Sequence, residues 1–536
     1  MASHGTAAGQ TVQAPRRAGI VLATLILGAL VANLNLSVAN VALPAIGTAL
    51  DASQTEVNLI AIGCTLGLAM SVLYLGALGD RYGRKLMLLL GMALTVPASA
   101  VSAWAPDGII LIGGRIFTGV AAGLAYPTTL ALITALWGPG KARVKAIALW
   151  SGIGGGGAVL GPVIAGALLE WFWWGSVFLI AVLPAMIAFL LVWKFVPAHV
   201  NESTDPVDNL GGILSVVMIA ALVLGLSTIA APGQLPFSLL LMGLSLIVGA
   251  AFILRQKRVS NPIYDLHYAS RRLFWVAAIS GMIVFGSLMG SLFVGQQFMQ
   301  DVLAYPTFAA GLAILPSAFT MIAVSPLSAR MITSLGSRDT LLIGTGLVVV
   351  AFVIMLVLWR EGSPYWQIGL AYAVLGAGVG IGLAPASRAL TSSVPVDRVG
   401  MASATSDLQR DLGGSTMQAL LGSLLTAGYA ATMAMQIGNS PDASQVTDST
   451  QAALQKSFTT AQSVSEQYPE YASEIVEAAR QSFLSGANWA HAAAIVAGLV
   501  AMVIVRFAYP GKQGEINLLT EYAQEDAAAT AKGGSG

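Results

Sequence analysis

The stretch Gly76-Ala-Leu-Gly-Asp80-Arg81-Tyr-Gly83-Arg84-Lys85 is a charged, glycine-containing turn between two long apolar segments. It carries one carboxylate and three cations in a chain of which only 10% of the residues are charged. Such a cluster cannot lie in lipid, so the turn must lie at a membrane surface. Because cations are concentrated in cytoplasmic loops, the stretch predicts the cytoplasmic surface.

The composition agrees with a membrane protein. Of the 536 residues, 56% are hydrophobic, and the charged fraction is far below the rough quarter of a soluble domain. The net charge of +1 gives no reason to expect nucleic acid as a partner. The single cysteine, Cys64, excludes an intrachain disulfide framework, and the four histidines do not have metal-ligand spacing.

Apolar stretches long enough to cross a bilayer, about 20 residues each, recur along the chain. We place fourteen of them at 18–43, 55–79, 86–104, 108–136, 144–169, 175–196, 210–231, 235–254, 273–301, 307–333, 339–359, 365–391, 399–434 and 486–508. A helix satisfies its own backbone polar groups in lipid, and the alternating pattern of a membrane β-barrel is missing from the sequence. The predicted fold class is therefore an all-α polytopic membrane protein.

The distribution of Lys and Arg predicts the orientation. Most of the 26 basic residues lie in segments on the side of Arg84, including the clusters at 141–145, 255–258 and 271–272. This asymmetry predicts that both termini are cytoplasmic. We expect residues 1–17 to be disordered and residues 509–536 to form a cytoplasmic tail.

Four motifs occur in order along the chain. Residues 34–44 contain Leu-Asn-x-Ser-x-x-Asn-Val-Ala-Leu-Pro, residues 76–85 form the charged turn, 111–119 contain Leu-x-x-x-Arg-x-x-Thr-Gly, and 157–166 contain Gly-x-x-x-Gly-Pro-x-x-Ala-Gly. Together they resemble the major facilitator superfamily, specifically its fourteen-helix drug:proton antiporter branch. The resemblance covers about residues 18–508.

The resemblance implies two six-helix bundles, at 18–196 and 272–508, around a central cavity that opens alternately to either side. The segment 197–271 would link them and add a pair of transmembrane helices. The resemblance also implies a monomer, surrounded by membrane lipids, in a bacterial-type cytoplasmic (inner) membrane. Such a protein exchanges a small-molecule substrate for protons, and the proton gradient is its energy source in place of any cofactor or metal.

The charged turn is expected to act in gating. Asp80 lies where a helix ends, so its carboxylate can face the N-terminus of a neighbouring helix or an Arg across the inner gate. The alternative is that it only anchors the topology. The residues assigned to this loop are Gly76, Asp80, Arg81, Gly83 and Arg84, and those assigned to the antiporter helix are Gly157, Gly161, Pro162 and Gly166. Glycine-rich helices such as 152–157 and 376–382 either pack tightly or bend during transport.

Four residues within the spans are candidates for proton coupling: Arg115, Asp407, Arg410 and Asp411. A cation within a span is costly and usually functional, although Arg115 could simply pair with a buried carbonyl. Asp407 and Asp411 lie one helical turn apart, so mutual repulsion and burial predict a shared proton. The alternative is a static pair between a carboxylate and Arg410.

Asn35 departs from the resemblance, because members of this branch usually carry Asp at that position. An amide cannot exchange a proton near neutral pH. The usual coupling site of the first helix is therefore missing. The carboxylates of the thirteenth span are the titratable groups that could take its place.

The residues expected to line the substrate cavity are polar or aromatic and lie within spans: Asn35, Asn40, Tyr126, Phe293, Gln297 and Gln418. In the ninth span, Gly286, Gly290, Phe293 and Gln297 recur at helical spacing. Small residues beside an aromatic ring and an amide suit an amphipathic organic cation. A helix-packing face is the alternative.

The segment 435–485 is the one long loop on the external side. Its six acidic residues face only two cations, Lys456 and Arg480, and its apolar residues predict amphipathic helices. The loop is either a solvated cap or an acidic vestibule that concentrates cations.

These observations predict a secondary active exporter of hydrophobic or amphipathic, cationic small molecules that works by alternating access and proton exchange. The alternative is a facilitator, or a specific metabolite or lipid exporter of the same fold, without proton coupling through the first helix. A polytopic membrane enzyme would need a surface cluster of acidic or metal-binding residues, and the short loops leave little room for one. The predicted protein is therefore not an enzyme.

Overall fold

The computed structural model describes residues 17–50, 52, 54–138, 140–198, 206–228, 234–440 and 446–533. These residues form helices and turns and no strand. Fourteen helices within them are long and apolar enough to cross a membrane. The predicted all-α fold with fourteen spans is confirmed, while the expected disorder at the N-terminus lies on residues outside the described ranges.

The first six spans follow the predicted order along the chain. Their helices are Ala18–Ser37 and Ala39–Ala49 (span 1), Gln54–Tyr82 (span 2), Arg84–Ala103 (span 3), Gly108–Leu136 (span 4), Lys141–Leu149 and Gly155–Leu169 with the π-helical segment Trp150–Gly154 between them (span 5), and Ser176–Leu179 with Val182–Phe195 (span 6). Val38, between the two helices of span 1, keeps helical dihedral angles (φ −59°, ψ −34°), and its N–H donates to the carbonyl oxygen of Leu34, so span 1 continues through this residue as the sequence predicted.

Two further spans form a hairpin in the middle of the chain, and six more follow it. The hairpin helices are Asn209–Thr228 (span 7) and Leu235–Gln256 (span 8). After the short helix Leu266–Ala269 come Arg272–Gln297 with the π-helical segment Phe298–Val302 (span 9), Thr307–Ala313 and Leu315–Ser334 (span 10), Ser337–Leu358 (span 11), Tyr365–Ser392 (span 12), Val399–Asn439 (span 13), Ala472–Ala508 (span 14) and a C-terminal helix, Lys512–Gly533. The grouping into two bundles stays a prediction.

The predicted external loop is largely helical. The helix of span 13 extends to Asn439 and that of span 14 already begins at Ala472, so both continue beyond the predicted span ends. The helices Asp448–Lys456 and Phe458–Gln467 lie between them. Leu454 and Phe458 are buried, which agrees with the amphipathic helices expected from the sequence.

Glycines permit close approach between spans. A methyl group added to Gly344 of span 11 would lie 2.7 Å from the Cα atom of Gly382 in span 12. One added to Gly380 would lie 2.6 Å from the carbonyl oxygen of Met321 in span 10. In this conformation the glycine-rich segment 376–382 is thus a packing surface, which is the use of small residues expected in membrane helices.

The hairpin of spans 7 and 8 is held at one end by a buried carboxylate. Asp208 accepts hydrogen bonds from the guanidinium of Arg255 at 2.7 and 2.8 Å. Burial alone would raise the pKa of Asp208. The hydrogen bonds from Arg255 and from the backbone of Gly211 lower it by more, so the net pKa lies below its usual value. The Tyr74 hydroxyl of span 2 donates to Asn209 and so ties the hairpin to spans 1–6. Spans 1–6 are called the first half of the chain below, and spans 9–14 the second half.

The C-terminal helix is clamped against the second half by ion pairs. Glu515, which is buried, accepts a 2.6 Å hydrogen bond from Arg388 and a 2.7 Å bond from the hydroxyl of Ser337. Arg271 pairs with Asp526 at 2.6 Å. Because Arg271, Ser337 and Arg388 belong to the ends of spans 9, 11 and 12, the helix joins three spans. We call the surface that carries this clamp and the turn at Arg84 the basic face.

We expect Glu515→Ala to destabilise the second half, because it leaves the Arg388 guanidinium without its anionic partner in a partly buried position. The loss should be about 2 kcal/mol in the free energy of unfolding, measured by denaturant unfolding of the purified protein in micelles. Glu521→Ala, an exposed position on the same helix, is the matched control. Equal stability of both variants would contradict the clamp.

Candidate functional site

The charged turn joins the two halves of the chain at the basic face. Arg84 is buried and donates to the Oδ1 atom of Asp80 from Nε at 3.2 Å and from Nη2 at 2.9 Å. The same Nη2 atom donates to the carbonyl oxygen of Val396, 3.1 Å away in the segment before span 13. Gly83 has a φ of 106°, a conformation that favours glycine, so the chain can reverse here between spans 2 and 3.

Asp80 also lies over the beginning of span 13. A side chain at Gly400 would collide with the Asp80 carboxylate, so the two groups are in close contact. Gly400 is the second residue of the helix Val399–Asn439, and the N-terminus of a helix favours an anion. Gly76 completes the contact, because a methyl group there would lie 3.0 Å from the Cβ atom of Ala404. Arg81, the remaining residue assigned to this loop, is half-buried.

The glycines assigned to the antiporter motif pack span 5 against spans 1 and 10. A methyl group added to Gly157 would lie 3.0 Å from Leu30 and 3.1 Å from Asn33 of span 1, and one added to Gly161 would meet Ser37. Pro162 lies inside the helix Gly155–Leu169. Gly166 lies 3.6 Å from Phe308 of span 10, measured from an added Cβ atom. The glycines of this motif are therefore contact points on both sides of the helix.

Arg115 of span 4 is fully buried and bonds to backbone. Its Nη1 donates to the carbonyl oxygen of Asn35 at 2.9 Å, and its Nε donates to that of Ile60 at 3.3 Å. No ion pair of Arg115 occurs among the residues that the structure describes. The Asn35 side chain donates to Val31 on its own helix, so it does not bond to Arg115. Arg115 thus links span 4 to span 1 through Asn35 and to span 2 through Ile60.

Span 13 places three buried charged residues between the halves. Asp407, Arg410 and Asp411 are exposed by only 1%, 2% and 4%. The nearest approach between Arg410 Nη1 and Asp407 Oδ1 is 3.9 Å, which is an ion pair without a hydrogen bond. Both oxygens of Asp407 and the Oδ2 atom of Asp411 have no hydrogen-bond partner. Three carboxylate oxygens are therefore available to a proton or to another cation.

Aromatic rings surround the Arg410 guanidinium. Its central carbon lies 4.9 Å from the ring centroid of Trp150, 5.3 Å from that of Tyr126 and 6.0 Å from that of Phe285. Arg410 also donates a hydrogen bond to the Tyr126 hydroxyl. The structure thus brings Tyr126, which the sequence placed in the substrate cavity, together with a residue assigned to proton coupling.

Trp150 and Phe285 were not predicted from the sequence. One signal for Trp150 was available, because tryptophan in membrane proteins favours the interface, whereas Trp150 lies inside a predicted span and begins its glycine-rich stretch. For Phe285 there was no comparable signal, since phenylalanine is an ordinary residue of apolar helices. Its position beside Arg410 follows from the pairing of spans 9 and 13.

The predicted substrate face of span 9 is mainly a packing surface in this conformation. Gly286 lies against the backbone of Gly413, and Gly290 lies against Leu421. These contacts favour the helix-packing alternative for Gly286 and Gly290, because span 13 fills the space beside them. Phe293 is 41% exposed and packs on Gly422 of span 13.

The remaining predicted cavity residues are Gln297, Gln418 and Asn40. Gln297 is half-buried and donates to the carbonyl of Phe293 on its own helix. Gln418 is half-buried on span 13. The side chain of Asn40 lies outside the described residues, although its backbone belongs to the helix Ala39–Ala49.

Comparisons with known proteins agree with this architecture. A sequence profile of the Major Facilitator Superfamily matches residues 25–418. The chain is 31% identical over 505 residues to the "Multidrug efflux pump LfrA" of Mycolicibacterium smegmatis, covering 93% of this chain and 98% of that protein. It is 28% identical to the "Methyl viologen resistance protein SmvA" of Salmonella typhimurium, covering 78% of this chain and 82% of that protein.

Solved structures show the same fold at low sequence identity. The human organic anion transporter MFSD10 superposes with a TM-score of 0.59 at 14% identity, covering 92% of this chain and all of that one. The proton:xylose symporter XylE superposes with a TM-score of 0.57 at 13% identity, covering 92% of this chain and 96% of that one.

We expect Gly400→Val to separate the halves at the basic face, because the added side chain meets the Asp80 carboxylate. Spin labels on cysteines introduced at Tyr82 and Leu335, which are both exposed, in a Cys64→Ser background would report the distance between spans 2 and 10. The mean distance should lengthen by at least a few ångströms. Gly243→Val is the matched control, because nothing lies within 4 Å of an added Cβ atom there. An unchanged distance in Gly400→Val would contradict the contact.

Proposed function

Because the chain belongs to the Major Facilitator Superfamily of membrane transporters, we propose that it exports hydrophobic or amphipathic organic cations in exchange for protons. The membrane is the cytoplasmic membrane of a bacterium, and the basic face with both termini is cytoplasmic. This orientation rests on the concentration of Lys and Arg at that face. The bacterial relatives named for multidrug efflux and for resistance to methyl viologen, an organic dication, support the substrate class.

The observation that carries the proposal is the pair of buried carboxylates in span 13. Asp407 and Asp411 lie between the halves with three oxygens that make no hydrogen bond. Asp411 is twelve residues from Val399, which corresponds to a depth of about 18 Å along the helix, near the middle of a hydrocarbon core of about 30 Å. A carboxylate in such a place binds a proton readily, because the neutral form is easier to bury.

Alternating access to the two sides of the membrane allows substrate to be exchanged for protons. In the present conformation, the contacts of Asp80 and Arg84 with Gly400 and Val396 hold the basic face closed. We infer that these contacts break when the protein opens to the cytoplasm, where substrate enters. Since they exist in one state only, they bias the equilibrium between the two states. A proton and a cationic substrate then occupy the central site at opposite stages of the cycle.

Coupling in span 13 would replace the usual site in the first helix. Asn35 cannot titrate and bonds to its own helix, and Arg115 bonds to the carbonyl oxygens of Asn35 and Ile60. The absence of a titratable side chain at position 35 also favours the second candidate, a facilitator without proton coupling. The two differ in whether a proton gradient drives net accumulation of substrate. In both cases we propose a monomer, which needs no cofactor.

We expect proteoliposomes with an acidic interior to accumulate a lipophilic cation such as ethidium, because protons leaving the vesicle drive substrate inward. Asp407→Asn and Asp411→Asn should each reduce this accumulation to the level of empty vesicles, since an amide cannot carry the proton. Fluorescence of ethidium bound to DNA inside the vesicles measures the uptake.

Asp339→Asn is the control, because the Asp339 carboxylate is 43% exposed and pairs with the neighbouring Arg338 at the start of span 11. This variant should accumulate ethidium as the wild type does. If wild-type transport ignores the gradient, the antiport proposal fails and the facilitator remains. If both span 13 variants stay gradient-driven, coupling does not occur at these carboxylates.

A further inference from the structure

The aromatic rings around Arg410 form a cage made by both halves of the protein. Tyr126 comes from span 4, Trp150 from span 5 and Phe285 from span 9, and each is at most 3% exposed. The rings of Tyr126 and Trp150 are stacked with centroids 5.4 Å apart. The Trp150 indole is fixed, because its Nε1 donates to Thr129 Oγ1 at 2.8 Å. The cage is therefore built and oriented by contacts other than those to Arg410.

Arg410 is held mainly by these rings. Buried guanidinium groups usually make short hydrogen bonds to a carboxylate, but Arg410 stays 3.9 Å from Asp407. Its Nε atom has no hydrogen-bond partner, and its Nη2 bonds only weakly to Ser387 at 3.5 Å. At the same time, the oxygens of Asp407 lack partners. The cation thus lies in the cage while the neighbouring carboxylates make no hydrogen bond to it.

We propose that Tyr126, Trp150 and Phe285 form a binding subsite for the charged group of a lipophilic organic cation, and that Arg410 occupies this subsite as a tethered substitute when no substrate is bound. The faces of Trp, Tyr and Phe attract quaternary ammonium and related cations by the same interaction that they make with Arg. An incoming cation displaces the guanidinium from the rings. This inference rests on the proposed export of organic cations and names the place where their charge binds.

The displaced guanidinium has a place to go. Asp407 is three residues before Arg410 on the same helix, and its Oδ1 atom already lies 3.9 Å from Arg410 Nη1, so a small rotation of the side chain brings them together. The two unpartnered oxygens of Asp407 can then accept the hydrogen bonds that Arg410 does not make in the present conformation. Substrate in the cage would therefore move a positive charge onto the carboxylates, where it competes with a proton.

The test is equilibrium binding of radiolabelled tetraphenylphosphonium to the full chain in lipid nanodiscs, without any gradient. We expect Arg410→Gln to lower the Kd by about tenfold, because the tethered competitor is removed. Arg410→Lys keeps a cation at this position and should gain less affinity than Arg410→Gln. Trp150→Leu combined with Arg410→Gln should abolish the gain, which isolates the contribution of the cage.

Two controls separate the cage from general effects. Trp193→Leu removes an indole that is 67% exposed and lies away from the cage, and it should leave the Kd unchanged. The neutral compound triphenylphosphine oxide should gain nothing from Arg410→Gln. If Arg410→Gln does not fold, Trp150→Leu and Phe285→Leu with Arg410 intact should each weaken tetraphenylphosphonium binding, unlike Trp193→Leu.

The proposal is overturned if folded Arg410→Gln binds tetraphenylphosphonium no better than the wild type, if the gain persists in the double variant, or if the neutral compound gains equally. In the fallback series, unchanged binding by both cage variants overturns it as well. Because the measurement needs no gradient, it is independent of proton coupling. Loss of gradient-driven uptake would refute antiport without affecting the cage, and failure of the cage would leave antiport intact.

Discussion

A charge inside a membrane protein must find its stabilisation within the protein, because lipid offers none. The chain meets this requirement differently at two arginines. Arg115 bonds to the backbone carbonyl oxygens of two neighbouring spans, so it acts as a fixed joint. Arg410 lies against aromatic rings beside carboxylates that lack partners. Arg115 also leaves its Nη2 atom without a hydrogen-bond partner and lies 5.4 Å from the ring centroid of Phe178. It has no carboxylate partner among the described residues, whereas Arg410 has Asp407 close by.

One helix connects this central site with the contacts at the basic face. Span 13 begins at Val399 under the carboxylate of Asp80, and Asp407 follows about two turns later. A rigid helix transmits a displacement at one end to the other. Movement of the turn at Arg84 away from Gly400 would therefore also change the position of Arg410 relative to Tyr126 and Trp150, which belong to the first half.

The sequence predicted the parts of the molecule that depend on local composition. The fourteen spans follow from apolar length, and Asp407, Arg410 and Asp411 were found because charges are rare in such segments. The aromatic cage could not be predicted, because it depends on how spans 4, 5, 9 and 13 pair. For the same reason, the sequence left two interpretations of the glycine face of span 9, a substrate face or a helix-packing face. Glycines at helical spacing suit both a cavity and a close helix contact, and only the neighbour, Gly413 of span 13, decides between them.

The clamp formed by the C-terminal helix has a consequence for biogenesis. Its ion pairs join the ends of spans 9 and 12 to Asp526 and Glu515, and a hydrogen bond from Ser337 to Glu515 adds span 11. During synthesis these spans emerge from the ribosome well before those two acidic residues. Arg271 and Arg388 therefore remain without these partners while the spans enter the membrane, and the basic residues are free to act as orientation signals. The second half reaches its final rigidity only after translation has passed Asp526.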